Sequence, residues 1–269
     1  MYRKDIKICF VLVIFLLIAI LSSSIILGGK MYSDTRIKNV GRPSKKNLFI
    51  QNNTTNPNYQ IDINADYLQV QSIALADIDL TVDITASGVN GLDTGSEASD
   101  TWYSIWVIYN PTTNTISGLL STSTNSPTLP AGYTKSRRIG WIRNNNSSNF
   151  MLIYQSGNWC WYNERHIVLT SDPAATSWTD VDCSGVLPPT ARNICISIQL
   201  ATIATGSAQL KLRSNDSTGD FQIFLITGTN MISGYSAVMQ CDTNQIIEYI
   251  VTRADEAIRI DITGWEESE

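Results

Sequence analysis

A chain of 269 residues is long enough for one large domain or two small ones, and only 16% of it is charged while 43% is hydrophobic. A soluble domain carries about 25% charged residues. Here Thr, Ser and Asn supply the polarity, which suits turn-rich β-structure rather than amphipathic helices with Lys and Glu on the wet face.

The net charge of −5 conceals an asymmetry. Residues 1–46 hold nine Lys/Arg and two acids, and the remainder holds ten bases and 22 acids. An acidic body argues against nonspecific nucleic-acid binding, which draws its affinity from cations on phosphate.

Ile8 to Gly29 (ICFVLVIFLLIAILSSSIILGG) is a run of 22 residues without a charge, preceded by Arg3, Lys4 and Lys7. At about 1.5 Å per residue it is long enough to cross a bilayer core of about 30 Å. Two readings compete. A retained signal anchor fits the unbroken length, since Ile25, Ile26 and Leu27 continue the apolar run past Ser22-Ser23-Ser24. A cleaved signal peptide would use that serine triplet as its small-residue site. Six Lys/Arg follow the span, which on the positive-inside rule would hold the body inside. A span that starts almost at residue 1 acts as an export signal, so the expected location of the body is extracytoplasmic. Cys9, within the span, is read as a small apolar residue.

Residues 30–58 read as a linker, first basic and then rich in Asn and Thr (QNNTTNPN). The body is expected over 59–265, either as one unit or as two subdomains dividing near 156–190. Ile78 to Ile84 alternates four aliphatics with Asp79, Thr81 and Asp83, the period of two that marks a half-buried strand. Thr101–Asn110 (TWYSIWVIYN) is large and apolar on both faces, as expected of a strand central in a sandwich or lying between the core and a partner subunit. Trp102, Tyr103, Trp106 and Tyr109 are therefore the candidate oligomer interface. Thr115–Ser121 returns as the second strand of a hairpin, and Arg138–Arg143 with Phe150–Gln155 suggests another. Further strands are expected at Trp159–Tyr162, His166–Thr170, Asn193–Leu200, Gln209–Arg213, Phe221–Thr227, Tyr235–Gln240, Ile246–Thr252 and Ala257–Thr263. Many short strands between turn signals predict an all-β sandwich or jelly roll. No period of 20–50 residues repeats, which disfavours a solenoid or propeller.

The segments NLFIQNNTTNPNYQIDINADYL, DITASGVNGLDTGSEASDTWYSIWVIYNPTTNTISGLLSTS and PTLPAGYTKSRRIGWIRNNNSSNF resemble the C-terminal β-rich domain of phage and prophage tail or fibre proteins. Leu187-Pro188-Pro189-Thr190-Ala191 and Ile262-Thr263-Gly264-Trp265 extend the resemblance over about residues 47–265. It implies a virion-associated, oligomeric all-β module, a trimer by analogy, and it transfers no catalytic residues. The chain departs from that pattern at its N-terminus, since tail proteins are not membrane-anchored. A tethered surface protein that reuses the domain fits the apolar span better.

No catalytic constellation stands out. Asp93-Thr94-Gly95 matches the core of an aspartic-protease loop, but that chemistry needs two carboxylates, only one copy is present, and turn formation accounts for it. His166 is the sole histidine and sits in an alternating strand pattern, HIVLT. Asp77, Asp79 and Asp83 would need further loop ligands to hold calcium. No metal site and no cofactor is expected. Cys160, Cys183, Cys195 and Cys241 are disulfide candidates if the body is exported, with three possible connectivities.

Exposed aromatics are the better functional candidates, because Trp and Tyr faces stack on sugar rings. Trp159, Trp161 and Trp178 lie near turns and are the candidate ligand-binding residues, with a cell-surface glycan as the ligand class. The expected function is a tethered structural or binding module for surface attachment or assembly. The alternatives are a polysaccharide-degrading enzyme, which needs two facing carboxylates, and a ligand-free virion or envelope protein.

Overall fold

The computed structural model describes residues 44–202, 206–219, 222–228 and 231–267. The apolar run at 8–29, Cys9 and most of the expected linker lie outside them. The described chain is all β: β1 Lys45–Lys46, β2 Phe49–Asn52, β3 Gln60–Val70, β4 Ile73–Asp83, β5 Trp102–Asn110, β6 Thr115–Ser121, β7 Lys135–Arg143, β8 Ile153–Ser156, β9 Trp159–Ser171, β10 Thr179–Asp182, β11 Asn193–Thr202, β12 Ser207–Ser214, β13 Gln222–Thr227, β14 Met231–Gln240, β15 Ile246–Val251 and β16 Glu256–Glu266.

These strands form three sheets rather than the two of a simple sandwich. The largest has nine strands in the order β1-β3-β2-β8-β9-β16-β11-β14, with β4 on the far side of β3. A four-stranded sheet runs β10-β15-β12-β13, and a three-stranded sheet runs β6-β5-β7. One continuous cluster of buried aliphatics joins all three, including Ile50, Ile61 and Ile63, Ile105 and Val107, Ile196 and Ile198, Leu210 and Leu212, and Ile258, Ile260 and Ile262. The period-two patterns decide which face enters this core. In β4, Ile78, Val82 and the following Ile84 are buried while Asp77 and Asp79 face water.

The stretch read as a linker includes structure. Leu48 and Ile50 are fully buried, and β2 is inserted between β3 and β8, so pairing begins at Lys45 rather than at residue 59. The Asn/Thr-rich residues that follow make a tight turn. The Asn53 side-chain oxygen accepts from the backbone N–H groups of Thr55 (3.0 Å) and Asn56 (2.9 Å). The expected hairpin of 138–143 with 150–155 is also not formed. β7 pairs with β5 in the small sheet, and β8 joins β2 and β9 in the large one. Between the two arms the backbone pairing is a single bridge, Asn144 with Phe150. The two segments expected at 159–162 and 166–170 are a single strand, β9, kept in register with β16 by bulges.

β5 is the central strand of its sheet and its two apolar faces are both covered within the chain. Tyr103, Ile105 and Val107 enter the main core. Trp106 and Ile108 pack with Leu119 beneath Leu129 and Tyr133. The Trp106 indole N–H donates to Ser104 Oγ at 2.6 Å, and Ser104 donates onward to loop carbonyls. Trp102 meets Trp265 edge-on at 5.7 Å and donates to the Ser184 carbonyl, while the Tyr109 hydroxyl donates to Asn114. Of the expected oligomer interface, Tyr103 and Trp106 are buried within the chain, and Trp102 and Tyr109 are half-buried. These rings fill space between sheets and loops of one protomer. Gly118 on the neighbouring β6 permits the close approach, because a methyl there would overlap Val82 of β4.

The C-terminal end is sealed by a buried carboxyl. Glu267 takes a hydrogen bond from the Trp265 indole N–H at 2.8 Å, and its backbone N–H donates to the Asn158 carbonyl. Burial pushes its pKa up to about 7 from an ordinary 4.5, against the lowering effects of that indole donor, Arg138 and Lys45. A group with a raised folded-state pKa adds stability that is complete below its unfolded value and is lost as pH rises through the folded value. The difference amounts to about 3 kcal/mol. Asp83, Asp242 and Glu248 have lowered pKa values and act only at more acid pH, outside this window, while His166, whose pKa burial lowers, acts inside it with the opposite sign. In urea unfolding at about pH 5 and about pH 8, the change from the lower to the higher pH should cost the wild type more stability than it costs Glu267→Gln. A pH dependence unchanged by that substitution would contradict the assignment.

Candidate functional site

The outward face of the large sheet carries a row of aromatic rings. On β8 and β9 the inward positions are Ile153, Gln155, Cys160 and Tyr162, all buried. Alternation therefore turns Tyr154, Trp159 and Trp161 outward. Tyr154 and Trp161 are direct cross-strand partners, and Trp159 lies two residues along on the same face. The rings stack: Tyr154 on Trp161 with centroids 5.3 Å apart, and Trp161 on Trp159 at 6.2 Å, with planes inclined by 22° and 25°. Trp161 is flanked on both sides, so the free ring faces belong to Tyr154 and Trp159 at the two ends.

The surroundings of the ladder are set by the neighbouring strands. On the β2 side, Phe49 is opposite Ser156 and Gln51 is opposite Tyr154. Phe49 is partly exposed and adds apolar surface. On the β16 side, Gly264 is opposite Trp161 and Glu266 is opposite Trp159. Only glycine fits at 264, since a methyl there would collide with the Cys160 carbonyl. Asn193 of β11 donates to Glu266 Oε2 at 2.6 Å. An apolar strip with a carboxylate and an amide at one end matches the chemistry of a sugar: C–H faces for the rings and hydroxyls for the polar pair.

Two of the three sequence-chosen tryptophans, Trp159 and Trp161, come together here. Trp178 does not; the Arg213 guanidinium covers its ring at 4.1 Å, and Arg213 is in turn held by Glu248 at 2.7 Å. Tyr154, Phe49, Glu266 and Asn193 were not singled out from the sequence. The alternation Leu152-Ile153-Tyr154-Gln155 was the available signal for Tyr154, once Ile153 is taken as inward.

The other groups weighed for chemistry are engaged in holding the fold. Asp93 accepts from Ser121 Oγ (2.7 Å) and from the backbone N–H groups of Thr94 and Thr128, so the Asp-Thr-Gly stretch clamps a loop. The cleft beside it, about 320 Å³, is lined by Thr85, Ser96 and Glu97 among others, and Glu97 accepts from Asn144. His166 meets Tyr162 edge-on at 4.2 Å, and burial lowers its pKa. Among the described residues no cluster of three or more His, Cys, Asp or Glu gathers as a metal site would need.

The disulfide expectation is corrected for the structure as it stands. Cys160, Cys183, Cys195 and Cys241 are all free thiols, with Cys195 alone partly accessible. Burial pushes the Cys183 thiol up to about 12 and the Cys241 thiol up to about 11, so both are protonated and weakly nucleophilic near neutrality.

No family model and no curated protein matches the chain. Among solved structures it is similar to a subunit of Bacillus endospore appendages, described as disulfide-linked pili, at 11% identity and a TM-score of 0.25 over 39% of this chain and 93% of that one. It is also similar to a Bacillus thuringiensis Cry1Da tryptic core variant, at 8% identity and a TM-score of 0.20 over 83% of this chain and 52% of that one. Likenesses this remote carry no functional argument, and the reading of the site rests on its geometry.

Two indoles stacked at 6.2 Å couple their electronic transitions. Circular dichroism should show exciton intensity that falls by the same amount in Trp159→Phe and in Trp161→Phe and is unchanged in Trp178→Phe, the remainder coming from the Trp102–Trp265 pair at 5.7 Å. A spectrum unchanged in both of the first two variants would mean those indoles are not stacked.

Proposed function

We propose that this protein is a non-catalytic attachment module whose body presents the Tyr154–Trp161–Trp159 ladder to carbohydrate at an extracytoplasmic surface. The observation that carries this reading is the ladder itself: three stacked rings on the outward face of the large sheet, with Glu266 and Asn193 beside the terminal Trp159. An apolar strip left on a solvent face costs free energy unless something covers it. The resemblance of residues 47–265 to phage and prophage tail modules supports an attachment role. The uncharged run at 8–29 supports a membrane tether, with the body outside.

Binding is expected to be weak per site, because so few rings are involved. Affinity electrophoresis through gels containing soluble neutral polysaccharides tests the reading. The wild-type chain should be retarded by at least one of them. Trp159→Ala and Tyr154→Ala should each weaken binding about tenfold or more, roughly 1.4 kcal/mol. Trp178→Ala should leave it unchanged. Folded protein that is retarded by no polysaccharide, or loses retardation only in Trp178→Ala, overturns the proposal. Depolymerisation of the polysaccharide by wild-type protein would favour the enzyme alternative.

A further inference from the structure

The two ends of the large sheet differ in a way that points to a partner. β4, at one end, carries Asp77, Asp79 and Asp83. Asp77 adopts a positive φ of 52° and, with Asp66 opposite it, drops out of the ladder with β3 while the register is kept, so the edge carries both acidic side chains and a local break that discourage further pairing. β14, at the other end, has none of these guards. Its ten residues, MISGYSAVMQ, include no charge and no proline, and among the described residues it pairs only with β11, in full register. Alternation turns Ile232, Gly234, Ser236, Val238 and Gln240 to the same outward face as the aromatic ladder. Ile232 is 72% exposed and Val238 is 51% exposed, the first and third highest values among the large exposed hydrophobics of the described residues.

We infer that β14 is the docking surface for a second copy of this chain, joined antiparallel, β14 to β14, about a two-fold axis at Tyr235. The strand is self-complementary about that point. Ile232 and Val238 lie three residues either side of it, so the axis sets Ile232 opposite Val238 of the second copy, and Val238 opposite its Ile232. Gly234 then faces Ser236. Both apolar side chains that one copy exposes are covered by the other, as cross-strand pairs on one face. Charge selects this partner over the alternative edge. Pairing β14 with β4 of another copy would bring the uncharged strip against a row of aspartates that lose water on contact, whereas β14 against itself desolvates no ionised group on either strand. Isologous pairing also closes after two copies, where β14-to-β4 pairing would run on as an open filament.

Ten residues at about 3.3 Å each give a paired edge roughly 33 Å long. With its flanking side chains such a contact buries on the order of 1,000 Å² in total, at the low end for specific interfaces, where weak and transient contacts sit. The two-fold is normal to the sheet, so both aromatic ladders lie on one face. Seven strand spacings of about 4.8 Å separate the two copies of β9, at most about 34 Å along the sheet. A repeating polymer could then be held at two points, and avidity would raise a weak single-site affinity. Dimerisation itself does not depend on the carbohydrate reading.

The test uses the full chain in non-ionic detergent, its protein mass read by light scattering over a concentration series high enough to populate a weak dimer. The wild type should be a dimer and Val238→Lys a monomer with an unchanged thermal melt. Under copper-phenanthroline oxidation the double variant Ile232→Cys/Val238→Cys should cross-link in high yield, while each single variant stays at the wild-type background. A monomeric wild type overturns the inference. So does a dimer that survives Val238→Lys, or cross-linking as strong in either single variant as in the double one. Loss of polysaccharide binding with the dimer intact would sink the carbohydrate reading and leave this one standing.

Discussion

Side-chain alternation over Trp159–Tyr162, at the start of β9, ties the core of this protein to its surface. Cys160 and Tyr162 point inward and are buried, so Trp159 and Trp161 must point outward. The same holds one strand away, where buried Ile153 and Gln155 force Tyr154 out, and on β16, where buried Trp265 forces Glu266 out. Because the period is two, a slip of one residue would send the indoles into the core and the thiol to water. The aliphatic core therefore fixes the ladder without any contact designed to hold it. Trp265 completes the link. It lies inward between Trp102 and Tyr162, at 5.7 and 5.3 Å, so the outward ladder stands on an inward aromatic cluster.

Packing three sheets around one core demands places where backbones come very close, and glycine supplies them. A methyl at Gly118 would overlap Val82, and one at Gly140 would overlap the Gln155 side chain. Gln155 shows why that approach is needed. It is a fully buried amide whose Nε2 donates to the carbonyls of Ile139 (2.7 Å) and Gly157 (3.1 Å), joining β7 of the small sheet to the β8–β9 turn. That one residue spans the two sheets directly beneath the ladder. The turn it holds is the one that sets Trp159 on its strand.

Much of this was legible in the sequence and some was not, for physical reasons that can be named. Ile78, Val82 and Ile84 declared their face because only one side of β4 is buried. β5 declared itself central because both of its faces are apolar, but sequence alone could not separate a covering loop from a covering subunit. Leu129 and Tyr133, far from β5 in the pattern, turned out to do the covering. The hairpin expected at 138–155 failed because local turn chemistry is blind to which sheet each arm joins. Trp159 and Trp161 were visible as candidates near a turn. Their stacking with Tyr154 was not, since cross-strand neighbours depend on register between β8 and β9. Trp178 looked equivalent in sequence and differs only because Arg213, from a distant strand, lies over its ring.

The titratable groups follow one logic: burial and pairing commit most of them to the fold. A reacting thiol needs a lowered pKa, and burial raises those of Cys160, Cys183 and Cys241. A general base needs an open approach to substrate. Asp93 has its oxygens occupied by Ser121 and by backbone donors, Glu248 is taken by Arg213, and Asp261 is buried under Arg259 at 2.7 Å. Glu267 has the raised pKa of a general acid, but it lies sealed on the inward side of the strand end, facing an indole. Glu266, its neighbour, faces outward beside Trp159 and is oriented by Asn193. One residue of displacement along β16 thus separates a buried carboxyl that fastens the fold from an accessible one that can orient a hydroxyl. What the outward face offers is a fixed set of rings and one positioned acid, an arrangement suited to holding a ligand in place.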